Sequence, residues 1–174
     1  DLREYDVACK LHSKKSPGYS GLQGWGDTIA TNLLGSQDIV KTVLATFQNN
    51  PDAGLLYAEW PNWARTLQSR ECGSWTLENW PIAKNLCERL GVETAFHDYF
   101  EFPAGSMFWF RPKALKRILE YPFWSYDNFE GESGRNGTIA HVIERLFGPV
   151  CDQAGFKQMS IDFSRALVSA RAIH

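Results

Sequence analysis

Ser36-Gln37-Asp38-Ile39-Val40-Lys41-Thr42-Val43-Leu44-Ala45-Thr46-Phe47-Gln48-Asn49-Asn50-Pro51-Asp52-Ala53-Gly54-Leu55-Leu56-Tyr57-Ala58 is the stretch that decides the fold. Ile39, Val40, Val43, Leu44 and Phe47 recur at helical spacing, Asn49 to Asp52 carries turn chemistry, and Gly54 to Ala58 is an apolar run of strand length. Ser36 stands where it can cap the helix. A helix that turns tightly into a strand is an α/β unit.

Upstream, Tyr5, Val7, Cys9 and Leu11 alternate with Asp6, Ala8, Lys10 and His12, the period-two pattern of a strand. Ser13 to Gly26 is rich in Gly, Ser and Lys and reads as a loop. Asp27 is placed to cap a short helix carrying Ile29, Leu33 and Leu34 and closed by Gly35.

Downstream, Glu59 to Asn79 has no clean period and sets Trp60, Trp63 and Trp75 among polar residues, as a long functional loop would. Pro81 opens a helix with Leu86 and Leu90, ended by Gly91. Tyr99 to Arg111 is a nearly continuous apolar run, predicted as a strand buried on both faces and interrupted at Pro103 and Gly105. Pro112 starts a helix with Leu115, Ile118 and Leu119 facing inward. An acidic loop, Tyr126 to Gly137, leads to Ile139, Val142, Ile143, Leu146 and Phe147, the most regular helical pattern in the chain. Met159, Ile161 and Phe163 suggest a last short strand. Strands separated by helices predict an α/β fold with a mostly parallel sheet flanked by helices.

The chain has 174 residues and 44% hydrophobic content, enough for one buried core, so a single domain or half-domain over 1–174 is expected. A formal net charge of -2 gives no general attraction to nucleic acid. No apolar run approaches the roughly 20 residues that span a bilayer, and the start lacks a signal-peptide layout; a cytoplasmic location is expected. Cys9, Cys72, Cys87 and Cys151 are scattered without metal-ligand spacing and read as reduced, mostly buried thiols. Seven tryptophans suit either sugar stacking or core filling.

Three groups of residues carry chemistry. Lys10-Leu11-His12-Ser13-Lys14-Lys15-Ser16 follows the first strand, where α/β sheets gather ligands; its cations suit a diphosphate, or form a solvated basic loop. Phe102 to Pro112 sets Gly105 and Ser106 beside Trp109, with Arg111 at the strand end able to meet an anion or a structural carboxylate. After Glu130-Gly131-Glu132, the helix spaces His141, Glu144 and Arg145 within one turn, as a polar cluster or a solvated face. There is no G-x-G-x-x-G, P-loop, H-E-x-x-H or G-x-S-x-G, and no D-x-D to hold a metal. No cofactor or metal site is predicted, with a divalent ion left open.

Taken in order, Tyr5 to Ser16, Leu33-Leu34-Gly35-Ser36, Phe102 to Pro112 and Gly137-Thr138-Ile139-Ala140-His141-Val142-Ile143-Glu144-Arg145-Leu146 resemble the rhamnan-synthesis F family of bacterial polysaccharide glycosyltransferases. The resemblance runs from about Tyr5 to Gly155. It implies a glycosyltransferase A-like fold of which this chain is the acceptor-side part, with a nucleotide-binding region upstream. It further implies transfer of a sugar, often L-rhamnose, from a nucleotide-sugar donor to a surface polysaccharide acceptor, with contact to the inner membrane or assembly proteins. Asn136 stands where the family is expected to carry an aspartate.

That reading assigns roles. Lys10, His12, Lys14, Lys15, Ser106, Trp109, Arg111, Glu144 and Arg145 would bind donor diphosphate or substrate. Glu132, then His141, would be the base that activates the acceptor hydroxyl, with Glu130 and Asp127 as substitutes. The rival functions are a non-catalytic carbohydrate-binding module using exposed tryptophans and a scaffold segment for polysaccharide assembly.

Overall fold

The Ser36 hydroxyl accepts the Ile39 N–H at 3.2 Å and so starts helix α2 (Gln37–Asn49), whose Ile39, Val43 and Phe47 are buried. Asn50 ends it, and the Ala53 N–H returns to the Asn50 carbonyl at 3.0 Å before strand β2 (Ala53–Ala58), buried along its whole length. The helix–turn–strand unit forms as its sequence predicts, because cap, turn and apolar period all act within a few residues.

The computed structural model describes residues 1–12, 25–59, 74–123 and 137–162. Besides α2 and β2, the elements are a 3-10 turn (Leu2–Glu4), β1 (Ala8–Lys10), α1 (Trp25–Leu34), α3 (Trp80–Leu90), β3 (Phe108–Phe110), a 3-10 turn (Pro112–Leu115) running into α4 (Lys116–Leu119), α5 (Ile139–Gln153) and β4 (Lys157–Ile161). Helix α1 already begins at Trp25, so Asp27 lies inside its first turn rather than at its cap. Helix α3 has Pro81 in its first turn and ends on Gly91 at φ +63°, the left-handed stop expected of glycine.

The described strands form one sheet in the order β1-β3-β2-β4. It is mixed, not mostly parallel: β3 runs antiparallel to both β1 and β2, and β2 with β4 is the parallel pair. Alternation of helix and strand led the sequence to a parallel sheet, but it constrains only the elements, and β3 inserts between its neighbours in the reverse direction. The regular strand within Tyr99 to Arg111 is also only Phe108–Phe110. Pro103 to Ser106 bends instead, with the Ser106 N–H on the Pro103 carbonyl at 2.9 Å and positive φ at Gly105 and Ser106.

Strand alternation divides the interior into layers. Leu55, Tyr57, Phe108 and Phe110 face one side and pack with α3, α5 and the Pro112–Leu115 turn. Leu56, with Ala53, meets Ile39, Val43 and Phe47 of α2, while Ala58 and Met107 meet Ile29 and Leu33 of α1. Gly54 is required by this packing: a Cβ there would lie 2.5 Å from Phe156 Cβ and 2.6 Å from Cys151 Sγ, beside the register shift in the β2–β4 pair.

Cys87 and Cys151 are buried and Cys9 is half-buried, all unbridged. Burial pushes their thiols up to about 11, about 12 and about 11 respectively, which keeps them protonated and unreactive. No helix among the described residues is long and apolar enough to cross a membrane.

Candidate functional site

The strand directions bring one set of ends together. Lys10 pairs with Phe108 and Tyr57 pairs with Phe108, so the carboxyl ends of β1 and β2 and the start of β3 share one edge of the sheet, as does the carboxyl end of β4. Helix α5 enters β4 through the short connection at Ala154 to Phe156, so its N-terminus lies toward that same edge. In α/β sheets this edge is where ligands collect.

The Pro103–Ser106 bend forms the floor. Lys10 Nζ donates to the Ser106 carbonyl at 2.7 Å, and His12 Nε2 meets the Gly105 carbonyl at 2.6 Å. A carbonyl only accepts, so Nε2 of His12 is the donor in this contact. From the opposite side Glu144 Oε1 accepts the Gly105 N–H at 2.7 Å and the Ser106 hydroxyl at 3.4 Å. Gly105 has φ +89° and Ser106 φ +54°. A non-glycine residue in the left-handed region stores strain, and such strain concentrates at functional sites.

Arg145 anchors α5 beneath this turn. Its Nε donates to the Ser74 carbonyl at 3.1 Å and its Nη1 to the His141 carbonyl at 3.0 Å, with the guanidinium 5.1 Å from the Phe102 ring centre. It reaches the Glu144 carboxylate at 3.9 Å. Burial lowers the Arg145 pKa, with Glu144 opposing, and the guanidinium stays charged. Lys10 lies 5.9 Å from the Phe108 ring centre and 5.8 Å from that of Phe147. Burial likewise lowers its pKa, with Glu144 pulling it back up.

His141 stands one helical turn before Glu144 and Arg145, its Nδ1 2.7 Å from the Thr138 hydroxyl. Thr138 is also the N-cap of α5, accepting the His141 N–H at 3.4 Å. One side chain thus starts the helix and orients the imidazole. Neither the cap nor the ring contact is read from the helical pattern.

Two expected site residues are engaged elsewhere. Trp109 turns to the other face of the sheet, and its indole N–H donates to the Leu33 carbonyl at 3.1 Å. Arg111 leaves the far end of β3, where it donates to the Ala53 carbonyl at 3.0 Å and the Phe47 carbonyl at 2.6 Å and covers the Phe47 ring. The register separates Arg111 from Lys10 by the length of β3, so one diphosphate does not span both. Lys14, Lys15, Glu132, Glu130 and Asp127 lie outside the described residues. Among the described residues no group of His, Cys, Asp and Glu is arranged to hold a metal ion.

A family model described as rhamnan synthesis protein F matches residues 1–156. Two proteins from Xanthomonas campestris pv. campestris, strains ATCC 33913 and B100, each described as uncharacterized protein WxcX, are 31% and 30% identical to the chain over 157 residues. The aligned region covers 90% of this chain and 21% of either relative, so the chain spans about a fifth of the length of those curated relatives. No solved structure matches. The motifs that meet at Ser106 all lie within the matched span, and the chain belongs to the rhamnan synthesis protein F family, a family of polysaccharide biosynthesis.

Proposed function

We propose that this chain is part of a glycosyltransferase that moves a sugar, L-rhamnose by the family's name, from a nucleotide-sugar donor to a growing cell-surface polysaccharide. The observation that carries the proposal is convergence: Lys10 and His12, then Gly105 and Ser106, then Glu144, from motifs far apart in sequence, share one hydrogen-bonded cluster at the carboxyl ends of the strands. In this reading Lys10 and His12, joined by Lys14 and Lys15 from the segment that follows, face the donor diphosphate. Fixed cations there stabilise the charge that grows on the leaving group.

The step itself is a displacement at the anomeric carbon. The bond from that carbon to the diphosphate oxygen breaks, the nucleoside diphosphate leaves with the electron pair, and an acceptor hydroxyl oxygen forms the new glycosidic bond. Its proton passes to a base, for which Glu132 is the first candidate and His141 the second, a role typically worth about 100-fold to 10,000-fold. Such a reaction belongs on the cytoplasmic side, beside the inner membrane and the assembly proteins that carry the acceptor.

The rival reading as a carbohydrate-binding module draws little from the described tryptophans. Trp75 is fully buried, with its N–H on Thr94, and Trp109 is bound to α1. The deciding experiment titrates the full-length protein with nucleoside diphosphate, nucleotide sugar and oligosaccharide. Binding of the first two, weakened in a His12→Ala, Lys14→Ala double variant, supports transfer; binding of oligosaccharide alone refutes it. Glu132→Gln and His141→Ala then test the base: near wild-type turnover in both, with folding intact, removes that assignment.

A further inference from the structure

Among the described residues the cluster leaves hydrogen-bonding capacity unused on both sides of Ser106. An ammonium has three donors, yet among the described residues Lys10 Nζ meets a single acceptor, the Ser106 carbonyl. A carboxylate has about four acceptor positions. In Glu144, Oε1 takes the Gly105 N–H and the Ser106 hydroxyl, while Oε2 meets only Arg145 Nη1, at 3.9 Å, among the described residues. Arg145 itself is directed to the Ser74 and His141 carbonyls. The Glu144 side chain remains 17% exposed.

A spare cationic donor and a spare anionic acceptor on either side of one residue make a composite demand. A phosphate satisfies Lys10 but brings a second negative charge near Glu144, and a neutral sugar satisfies Glu144 but offers the remaining Lys10 donors no anionic acceptor beyond Glu144. A sugar 1-phosphate satisfies both, because its phosphate oxygens accept and its ring hydroxyls donate within a few ångströms of one another. The strained Ser106 backbone fits the same requirement. Holding Ser106 at φ +54° keeps its hydroxyl beside Glu144 while its carbonyl is turned to Lys10.

We infer that Glu144, with the Ser106 hydroxyl, recognises hydroxyl groups of the sugar attached to the phosphate that Lys10 holds, and so selects a glycosyl phosphate over a bare phosphate ester. This rests on the anion-binding reading of Lys10 given above. Glu144 is then a specificity residue of the donor site: its charge works against the phosphate and in favour of the sugar.

The test compares binding of methyl phosphate, which has the anion without the hydroxyls, with a panel of hexose and 6-deoxyhexose 1-phosphates, by calorimetry on the full-length protein. The wild type should prefer its best glycosyl phosphate over methyl phosphate by about tenfold, the size expected of one charge-assisted hydrogen bond. Glu144→Gln should lose most of that preference while binding methyl phosphate equally or more tightly; a merely structural Glu144 would weaken both probes together. Ser106→Gly, which relieves the backbone strain, should stay folded and lose about threefold of the preference, roughly a weak neutral hydrogen bond, and it decides the matter should Glu144→Gln fail to fold. Lys10→Met should abolish binding of both probes. An unchanged preference in Glu144→Gln and in Ser106→Gly overturns the inference and leaves the anion site standing. Wild-type indifference to both probes, or methyl phosphate binding that survives Lys10→Met, overturns the anion site itself.

Discussion

Glu144 accepts the backbone N–H of Gly105 at 2.7 Å, a contact across 39 positions that ties helix α5 to the bend leading into β3. The carboxylate takes up an amide buried by the bend and holds the two left-handed residues, Gly105 and Ser106, in place. A buried N–H left without its acceptor costs about 1–3 kcal/mol, so this single contact is worth a sizeable part of a domain's net stability.

Neighbouring substitutions in the bend should therefore differ in cost. Gly105→Ala places a side chain at φ +89° and should destabilise the protein by about 1–3 kcal/mol. Ser106→Gly removes the strain at φ +54° but adds freedom to the unfolded chain, and these effects offset to within about 1 kcal/mol. Urea denaturation of both variants checks the contrast; equal losses in the two would mean that the left-handed geometry is not maintained in solution.

Lys10 should give the stability curve a recognisable alkaline limb. Burial lowers its pKa below 10.5, so between the folded value and 10.5 the unfolded chain binds more protons than the folded one. Stability contributed by this group accordingly rises as pH climbs through that window, and the cost of burying the ammonium is fully felt below it. The melting temperature of the wild type relative to Lys10→Met should increase from neutral pH toward 10.5. Anion binding should fade over the same range, because the ligand needs the charged form. A difference independent of pH would show that Lys10 is solvated like an ordinary surface lysine.

Arg111 should behave as a structural cation. Its guanidinium joins the Phe47 carbonyl at the end of α2 to the Ala53 carbonyl at the start of β2, so Arg111→Ala should cost about 2–4 kcal/mol. Arg111→Lys should recover only part, since a point charge does not reproduce the fork. Methyl phosphate affinity of the folded fraction should stay within about twofold, because the length of β3, about 10 Å, exceeds the screening length at physiological salt. A selective loss of phosphate binding with unchanged melting would return Arg111 to the anion site.

The sequence by itself determined what is settled within a turn or two of chain. Ser36 caps α2, the Asn50 turn delivers β2 and Gly91 stops α3, because each depends on groups only a few residues apart. Apolar period likewise marked the buried faces of α2 and α5, although Leu44 of the α2 pattern is exposed and α5 continues through Pro149 to Gln153, beyond the pattern that ended at Phe147. The cations around Lys10 were legible as residue types suited to a diphosphate, while a sugar ligand at Ser106 and Glu144 was only what the family resemblance implied. Only the tertiary structure decided how they meet. Reversal of β3 between β1 and β2 sets Lys10 against Ser106 across 96 positions, sends Arg111 to the opposite edge and turns Trp109 toward Leu33. Strand direction follows from which long-range pairing buries the most apolar surface on both faces of the sheet, a comparison among whole folds that no local pattern encodes.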